Sequence, residues 1–191
     1  MANRKAWSFN LADLGFCPLF ELSVQTTDEK PVFTRQYKHS PETRAEMKRQ
    51  VDNMLEHGII RPTMSAWQSP CLLVKKQTEQ GEPPKYRFVT DYRRVNDKLK
   101  PVTFPTPSLE TILQEVGSKK TRYYNTCDLA SGFWEIGVDP ETQDKLAFAT
   151  DYGKYNYTRV PFGLGSSAKI FHSVTQTVLS ESHDPRRALL T

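Results

Sequence analysis

Three stretches of the chain repeat apolar residues at the spacing of an α-helix. The first is predicted to run from Pro41 to His57, with Ser40 as its N-cap and Gly58 ending it in a left-handed conformation. Its inner face carries the apolar residues Met47, Val51, Met54 and Leu55. Its other face is basic, and such faces are in most cases simply solvated.

Two further helices are predicted in the second half of the chain. One is capped by Ser108 and ended by Gly117, and the other runs from Ser167 to about Glu181. Their inner faces are formed by Leu109, Ile112, Leu113 and Val116, and by Ile170, Phe171, Val174 and Val178. Both faces are expected to lie in the core.

Extended segments alternate with turn residues between these helices. Residues Cys71 to Lys76 and Lys85 to Asp91 are predicted to pair as a hairpin around a loop that contains Gly81. A second hairpin is expected from Lys145 to Val160, turning at Asp151-Tyr152-Gly153. Other extended segments are predicted at Tyr123–Leu129, Phe133–Val138 and Ala188–Thr191. This irregular order favours an antiparallel α+β fold over a doubly wound parallel sheet.

Composition narrows the class of protein only a little. Charged residues make up 25% and hydrophobic residues 37%, as in globular proteins, and the net charge of +4 is compatible with nucleic acid or with an ordinary surface. The three cysteines show no metal-ligand spacing, which indicates a reducing compartment. Without a signal peptide or an apolar span of membrane length, an intracellular location, cytoplasmic or nuclear, is expected.

Three features could carry chemistry. Asp128 follows an apolar strand and precedes small turn residues, so its oxygens could bind Mg²⁺ or merely cap a turn. Lys76 and Arg87, on facing strands, could hold a polyphosphate or be solvated. The loop Pro161–Gly165 lets backbone approach a ligand before a helix, but it lacks the phosphate-loop pattern.

The order of these pieces resembles the reverse transcriptases of gypsy-like long-terminal-repeat retrotransposons, over about residues 22 to 191. The first part of the match is carried by Lys30-Pro31-Val32, Ser40-Pro41, Gly58–Pro62, Trp67–Pro70, Leu73–Lys76 and Tyr86–Asn96. The segment Asp128–Phe133 resembles the first catalytic motif of the family, and Val160–Leu164 resembles its nucleotide-pocket loop.

The resemblance implies a right-hand polymerase, with fingers and an incomplete palm made of an antiparallel sheet backed by helices. Fingers would comprise residues 30–96 and 139–160, and palm residues 97–138 and 161–191. Residues 1–29, which show no clear period, are expected to be a loosely ordered leader.

The resemblance also implies roles for individual residues. Asp128 would bind two Mg²⁺ ions, assisted at one of them by the carbonyl of Leu129. Lys76 and Arg87 would contact the phosphates of a deoxynucleoside triphosphate. The remaining pocket residues would be Phe133 beneath the sugar, and Phe162 and Gly163 beside the sugar and base. The implied partner is an RNA or DNA template-primer.

The sequence departs from the family pattern at two places that bear on activity. Leu164 is followed by Gly165-Ser166-Ser167-Ala168, where the family usually has Lys or Thr, Asn, Ala and Pro. The second catalytic motif, with its two adjacent aspartates, is absent from the 191 residues. The expectation is therefore a polymerase fragment that is inactive by itself, and a non-catalytic nucleic-acid-binding module or a non-functional retroelement remnant are the alternatives.

Overall fold

The structure is a computed structural model that describes residues 10–77, 81–101, 108–118, 129 and 131–182. Within these ranges the strands are β1 Cys17–Leu22, β2 Ile60–Pro62, β3 Ser69–Lys75, β4 Tyr86–Thr90, β5 Ile136–Val138, β6 Phe148–Thr150 and β7 Gly153–Tyr157. The α-helices are α1 Pro41–Glu56, α2 Arg93–Asn96, α3 Leu109–Ser118, α4 Pro140–Lys145 and α5 Ser167–Ser182. Short 3-10 helices lie at Leu11–Asp13 and Gly132–Glu135. The fold is α+β.

Helix α1 forms as its sequence predicts. The hydroxyl of Ser40 accepts a hydrogen bond from the backbone N–H of Thr43 at 3.2 Å, which satisfies one of the free donors of the first turn. Gly58 follows the helix with φ +65°, a conformation that costs glycine little. Met47 and Val51 are buried, so the apolar face packs into the core.

Five strands form one sheet in the order β2-β7-β6-β3-β4. The two predicted hairpins are both present, since β3 pairs antiparallel with β4 and β6 pairs antiparallel with β7. A parallel pairing between β3 and β6, with Ser69 opposite Phe148, joins the two hairpins into one sheet. That parallel pairing is a tertiary feature that the antiparallel expectation did not include.

The core lies where this sheet meets the helices. The ring of Phe148 is fully buried and contacts the rings of Phe88 and Tyr157, with centroids 5.5 and 5.1 Å away. The hydroxyl of Tyr92 donates a hydrogen bond of 2.8 Å to the carbonyl of Leu146 from within the same core. These contacts fix the β3–β4 hairpin relative to the rest of the sheet.

The expectation that residues 1–29 form a loosely ordered leader is wrong for the part that the structure describes. Strand β1 pairs in parallel with β5, and Leu22 and Val24 are buried. The N–H of Val24 also donates a 2.9 Å hydrogen bond to the hydroxyl of Thr142. The segment shows no local period because its partners lie more than one hundred residues away in sequence.

The expectation that the apolar face of α3 lies in the core is also not met. Ser108 caps this helix through the N–H of Thr111, as predicted, and the helix extends one residue past Gly117. Ile112 is 41% exposed and Leu113 is 62% exposed. Amphipathic spacing makes a helix able to bury one face, but among the described residues no strand or helix packs extensively against this one.

The remaining predictions meet different outcomes. Helix α5 forms with Ile170 and Val174 buried. The predicted extended path from residue 133 to 138 is instead a 3-10 turn followed by β5, and α4 was not predicted. The predicted strands at 123–129 and 188–191 fall outside the described residues, apart from Leu129, which is not in a strand.

None of the described helices combines the length and the apolar character that a membrane span requires.

Candidate functional site

A cleft of about 700 Å³ is lined by the β3–β4 hairpin on one side and by the Gly132–Glu135 turn on another. This size lies within the usual range for small-molecule sites, which is about 300–1,000 Å³. Two α-helices also contribute to the lining, through Gln50 of α1 and Phe171 of α5. The cleft therefore draws on parts of the chain that are far apart in sequence.

The hairpin side of the cleft carries two cations. Arg87 lies opposite Val74 in the β3–β4 pairing, and Lys76 lies two residues beyond Val74. Because side chains alternate along a strand, Lys76 and Arg87 point to the same face of the hairpin. Both are exposed, and neither forms an ion pair with another residue in the described part of the chain. Their charges remain available to an anion.

The opposite side of the cleft is aromatic. The ring of Phe133 lies 5.2 Å from that of Phe162 and 5.1 Å from that of Phe171, measured between centroids. Trp134 meets the ring of Phe162 edge-on at 5.7 Å. Aromatic pairs at these distances stabilise one another, and the face of one ring in such a cluster can support a sugar or a base.

A sharp turn presents these rings to the cleft. Ser131 has φ 54°, the left-handed region that few non-glycine residues adopt. A Cβ atom on Gly132 would lie 2.8 Å from a ring carbon of Phe171 and 3.1 Å from the Cβ of Leu129. A side chain at position 132 would therefore force the ring of Phe171 to move.

The loop of residues 161–165 is held in place by two polar side chains that the sequence did not single out for this role. Asn96 donates a hydrogen bond to the carbonyl of Gly163 at 3.0 Å and accepts one from the N–H of Gly165 at 2.9 Å. Ser167 donates to the carbonyl of Pro161 at 2.9 Å. Gly163 itself has φ +88°, which favours glycine.

Sequence reasoning missed Asn96 and Ser167 because each acts only across a tertiary contact. Asn96 lies 67 residues before Gly163, and no periodicity connects the two positions. Ser167 stands in the segment that departs from the family pattern, yet it begins α5 and closes the loop. The only signal available was polarity: a small hydrogen-bonding residue beside a glycine-containing loop.

Burial shifts the pKa values of two charged groups near the turn, Glu135 and Arg159. Glu135, the last residue of the 3-10 turn, is half-buried, and burial raises the pKa of its carboxyl. Arg159 stacks over the ring of Phe16 at 4.4 Å, and burial lowers the pKa of its guanidinium. The contact of Arg159 with Phe16 ties the N-terminal segment to residue 159, which pairs with Gly137 of β5.

The structure brings most of the predicted site residues together. Five of them line the one cleft: Lys76, Arg87, Leu129, Phe133 and Phe162. Gly163 is next to Phe162 in the loop but is not among the residues that line the cleft. Asp128 lies outside the described residues, and the residues that are described include no group of three or more potential metal-ligating His, Cys, Asp or Glu side chains.

The class of protein follows from comparison with known families. Residues 74–186 match the family model described as "Reverse transcriptase (RNA-dependent DNA polymerase)". That match covers more than half of the chain and includes Lys76, Arg87 and the aromatic residues of the cleft. The chain belongs to the reverse transcriptase family.

Particular relatives agree with this assignment. The chain is 35% identical over 158 residues to the retrovirus-related Pol polyprotein from transposon opus of Drosophila melanogaster. It is 34% identical over 179 residues to that from transposon gypsy of the same organism. These alignments include 83% and 93% of this chain but only 16% and 17% of the two relatives. The predicted resemblance to gypsy-like elements is confirmed.

Solved structures show the same fold. The protease-reverse transcriptase of prototype foamy virus superposes with a TM-score of 0.74 at 27% identity, covering 88% of this chain and 22% of that one. A foamy viral protease-reverse transcriptase in complex with RNA/DNA hybrid gives a TM-score of 0.70 at 21% identity, covering 90% and 22%. The predicted α+β polymerase fold is confirmed by these neighbours.

Proposed function

We propose that this chain provides the fingers and the first part of the palm of an RNA-directed DNA polymerase, and that its cleft binds an incoming deoxynucleoside triphosphate. The observation that carries the proposal is the meeting of Lys76, Arg87 and Phe133 in one cleft of about 700 Å³. Two cations face an aromatic surface there, an arrangement suited to a ligand with a polyphosphate at one end and a ring system at the other.

The two cations act on the phosphates. Arg87 offers a planar fork of donors, and Lys76 offers a compact charge on a flexible stem. Because both lie on one face of the hairpin, they contact the same polyphosphate and offset the charge that develops when the phosphoryl group is transferred.

The aromatic side selects and positions the nucleoside. Phe133 lies beneath the sugar, where its ring leaves no room for a 2′-hydroxyl, so that deoxynucleotides are the substrates. Phe162 lies against the base and sugar, and it is 36% exposed toward the cleft before a ligand arrives. Gly163 lets the backbone approach the ligand closely, and Asn96 fixes the position of that backbone.

Divalent metal ions belong to the proposal through Asp128 and the carbonyl of Leu129. A carboxylate and an adjacent carbonyl are the oxygen donors that Mg²⁺ prefers. Asp128 and the Leu129 carbonyl would hold such ions, whose charge would stabilise the attacking and leaving oxygens. Leu129 lines the cleft and is 47% exposed, so this part of the chain is accessible from the cleft. The protein's own contribution is to hold the triphosphate and the sugar beside that edge.

The proposed boundaries keep fingers at residues 30–96 and 139–160 and palm at 97–138 and 161–191. The proposed macromolecular partner is an RNA or DNA template-primer. Its phosphates would be attracted by the basic side chains of the fingers, among them Lys75 and Arg94.

Nucleotide binding by charge-removal variants tests the proposal. We expect Lys76→Gln and Arg87→Gln each to weaken binding of a deoxynucleoside triphosphate with Mg²⁺ by about tenfold, since a charge-assisted hydrogen bond contributes about 1.5–3 kcal/mol. Isothermal titration calorimetry on the purified chain measures this. Lys48→Gln is the matched control, because Lys48 is an exposed lysine of α1 that does not line the cleft.

The outcome is decisive in both directions. A loss confined to the two hairpin variants supports the cleft as the triphosphate site. Equal affinities for Lys76→Gln, Arg87→Gln and the control would remove the proposal.

A further inference from the structure

Strand β4 lies at the edge of the five-stranded sheet, so in the described part of the chain only β3 pairs with it. The N–H of Lys76 donates to the carbonyl of Lys85 at 2.8 Å, which makes these two residues a hydrogen-bonded pair. Such pairs alternate with non-hydrogen-bonded pairs in an antiparallel ladder, and the next pair is Lys75 opposite Tyr86. The carbonyl of Tyr86 therefore points away from β3 and needs a donor from outside the sheet.

Helix α1 supplies that donor through Gln50. The side-chain amide nitrogen of Gln50 donates a hydrogen bond of 3.2 Å to the carbonyl of Tyr86. Both residues are half-buried, and they lie 36 positions apart in the sequence. This single hydrogen bond joins the helix to the open edge of the sheet.

The amide of Gln50 is held in turn by a carboxylate on the preceding turn of α1. It donates to Oε1 of Glu46 at 2.7 Å, and Arg49 donates to each oxygen of the same carboxylate at 2.7 Å. Chiefly through Arg49, the pKa of the Glu46 carboxyl is held below its usual value, so the group stays ionised at neutral pH. Neither Glu46 nor Arg49 is among the described residues that line the 700 Å³ cleft, so they support Gln50 from outside it.

The contact between Gln50 and Tyr86 lies directly beside a cation of the cleft. Arg87 follows Tyr86, and Gln50, Tyr86 and Arg87 all line the cleft. On the other side of Arg87, the ring of Phe88 is anchored in the core, 5.5 Å from the ring of Phe148. Arg87 therefore stands between two anchors of β4, one apolar in the core and one polar on α1.

We propose that Gln50 is a positioning residue for the triphosphate site, which holds β4 against α1 so that the guanidinium of Arg87 projects into the cleft at a fixed angle. The inference rests on the proposed function, because Arg87 is one of the two proposed phosphate-binding groups. A guanidinium binds phosphate through a planar fork of donors, so its affinity depends on its orientation as well as on its distance.

The first test replaces Gln50 by methionine, which has a similar length and no donor. We expect Gln50→Met to bind a deoxynucleoside triphosphate with Mg²⁺ about fivefold more weakly in isothermal titration calorimetry, the effect of one neutral hydrogen bond. Gln68→Met is the matched control, because Gln68 donates to the carbonyl of Thr34 at 3.1 Å and does not line the cleft. The two variants are expected to have similar Tm values, and the control is expected to bind as the wild type does.

A double-mutant cycle separates positioning from direct contact with the ligand. In an Arg87→Gln background we expect Gln50→Met to weaken binding by less than about twofold, because the group that it positions is already gone. A residue that touched the triphosphate itself, or that only stabilised the fold, would cause the same loss in both backgrounds.

Hydrogen exchange tests the contact without a nucleotide. We expect the amides of residues 85–88 to exchange faster in Gln50→Met than in the wild type, because the end of β4 loses its anchor on α1. Gln68→Met is expected to leave exchange in this peptide unchanged. Mass spectrometry of the purified variants measures both.

The failure of this inference can be told from the failure of the proposed function. If Gln50→Met binds as Gln68→Met does, or if its loss persists in the Arg87→Gln background, the positioning role is wrong while the triphosphate site stands. If the wild type binds no triphosphate, the proposed function fails and the role of Gln50 in that site fails with it. The exchange data then still decide whether Gln50 holds β4.

Discussion

Gly132 shows how one residue type decides the shape of the cleft. The backbone at this position lies against the ring of Phe171 and the side chain of Leu129, and the preceding Ser131 has a left-handed φ. A side chain at position 132 would therefore displace the ring of Phe171, which packs against Phe133 in the cleft.

We expect Gly132→Ala to lower the free energy of unfolding by about 1–3 kcal/mol, the usual cost of forcing an extra carbon into a packed site. Urea denaturation followed by circular dichroism measures the change. Gly117→Ala is the control, because nothing lies within 4 Å of a Cβ at that helical position. The control is expected to stabilise the chain by about 0.5–1 kcal/mol. Similar losses in both variants would show that the close contact is not what matters.

The hydrogen-bond partners of Asp91 predict that its contribution to the stability of the fold depends on pH. Arg93 donates to both of its oxygens, at 2.9 and 2.6 Å, and the hydroxyl of Tyr37 donates at 2.7 Å. Chiefly through Arg93, and then through Tyr37, the pKa of the Asp91 carboxyl is held well below its usual range. The stabilisation from such a group is present above the unfolded pKa, near 3.9, and is lost as the pH falls toward the lower folded value.

Asp91→Asn should therefore have a lower Tm than the wild type at neutral pH, and the difference should shrink below about pH 4. Thermal melts of both proteins from neutral pH down to about pH 2 measure this window. Asp52→Asn, which removes an exposed carboxylate paired with Lys48, is the comparison. A gap between wild type and Asp91→Asn that stays constant with pH would contradict the assignment.

At the scale of single residues, the sequence predicted the charged and aromatic residues that line the cleft, but not the residues that hold them in position. Lys76, Arg87 and Phe133 were predicted because charge and aromaticity are visible in a sequence, and they meet in the cleft. Asn96 and Trp134 were not predicted, since each contributes through a contact that only folding creates.

At the scale of elements, a helix or hairpin was predicted correctly where its period, cap and turn residues all lie within one short stretch of sequence. Helix α1 and the β3–β4 hairpin each carry their period, cap or turn residues within one short stretch, and both form as predicted. Strand β1 carries no such signal, because it is stabilised by pairing with β5, which lies far along the chain. Helix α3 is the opposite case, with a strong local period and no extensive partner among the described residues.

Strand β1 offers a direct test of its place in the core. We expect Leu22→Ala to lower the free energy of unfolding by about 2–5 kcal/mol, because Leu22 is fully buried. Leu19→Ala on the same strand, where the side chain is 59% exposed, is expected to change stability by less than about 0.5 kcal/mol. Chemical denaturation of the two variants compares them, and an equal, small effect would mean that the strand is only loosely attached.

At the scale of the whole molecule, the cleft provides groups that could bind a nucleotide, but phosphoryl transfer would need more metal-binding carboxylates than Asp128 alone. Two metal ions would need several oxygen ligands and a strong negative field, and the proposed ligand Asp128 alone would not supply them against water. The 191 residues contain no two adjacent aspartates to add to it. Under the proposed function, the 191 residues would therefore bind nucleotide and nucleic acid without phosphoryl transfer.

We expect the purified 191-residue chain to show no template-directed primer extension with Mg²⁺ and all four deoxynucleoside triphosphates. A gel-based extension assay measures this, with a foamy viral protease-reverse transcriptase as the positive control. Binding of the same template-primer, measured in parallel, shows whether the chain is folded and competent to bind. Extended product from the chain alone would contradict the argument about the metal ligands.

The sequence by itself determined the family, the ends of α1 and α5, both hairpins and the residue types of the cleft. These depend on periodicity, caps and turns, which act over a few neighbouring positions. Tertiary structure alone decided the parallel joining of β3 to β6, the inclusion of β1 in the core and the clamping of the 161–165 loop by Asn96. Those depend on contacts between distant segments, whose free energies no short stretch of sequence contains.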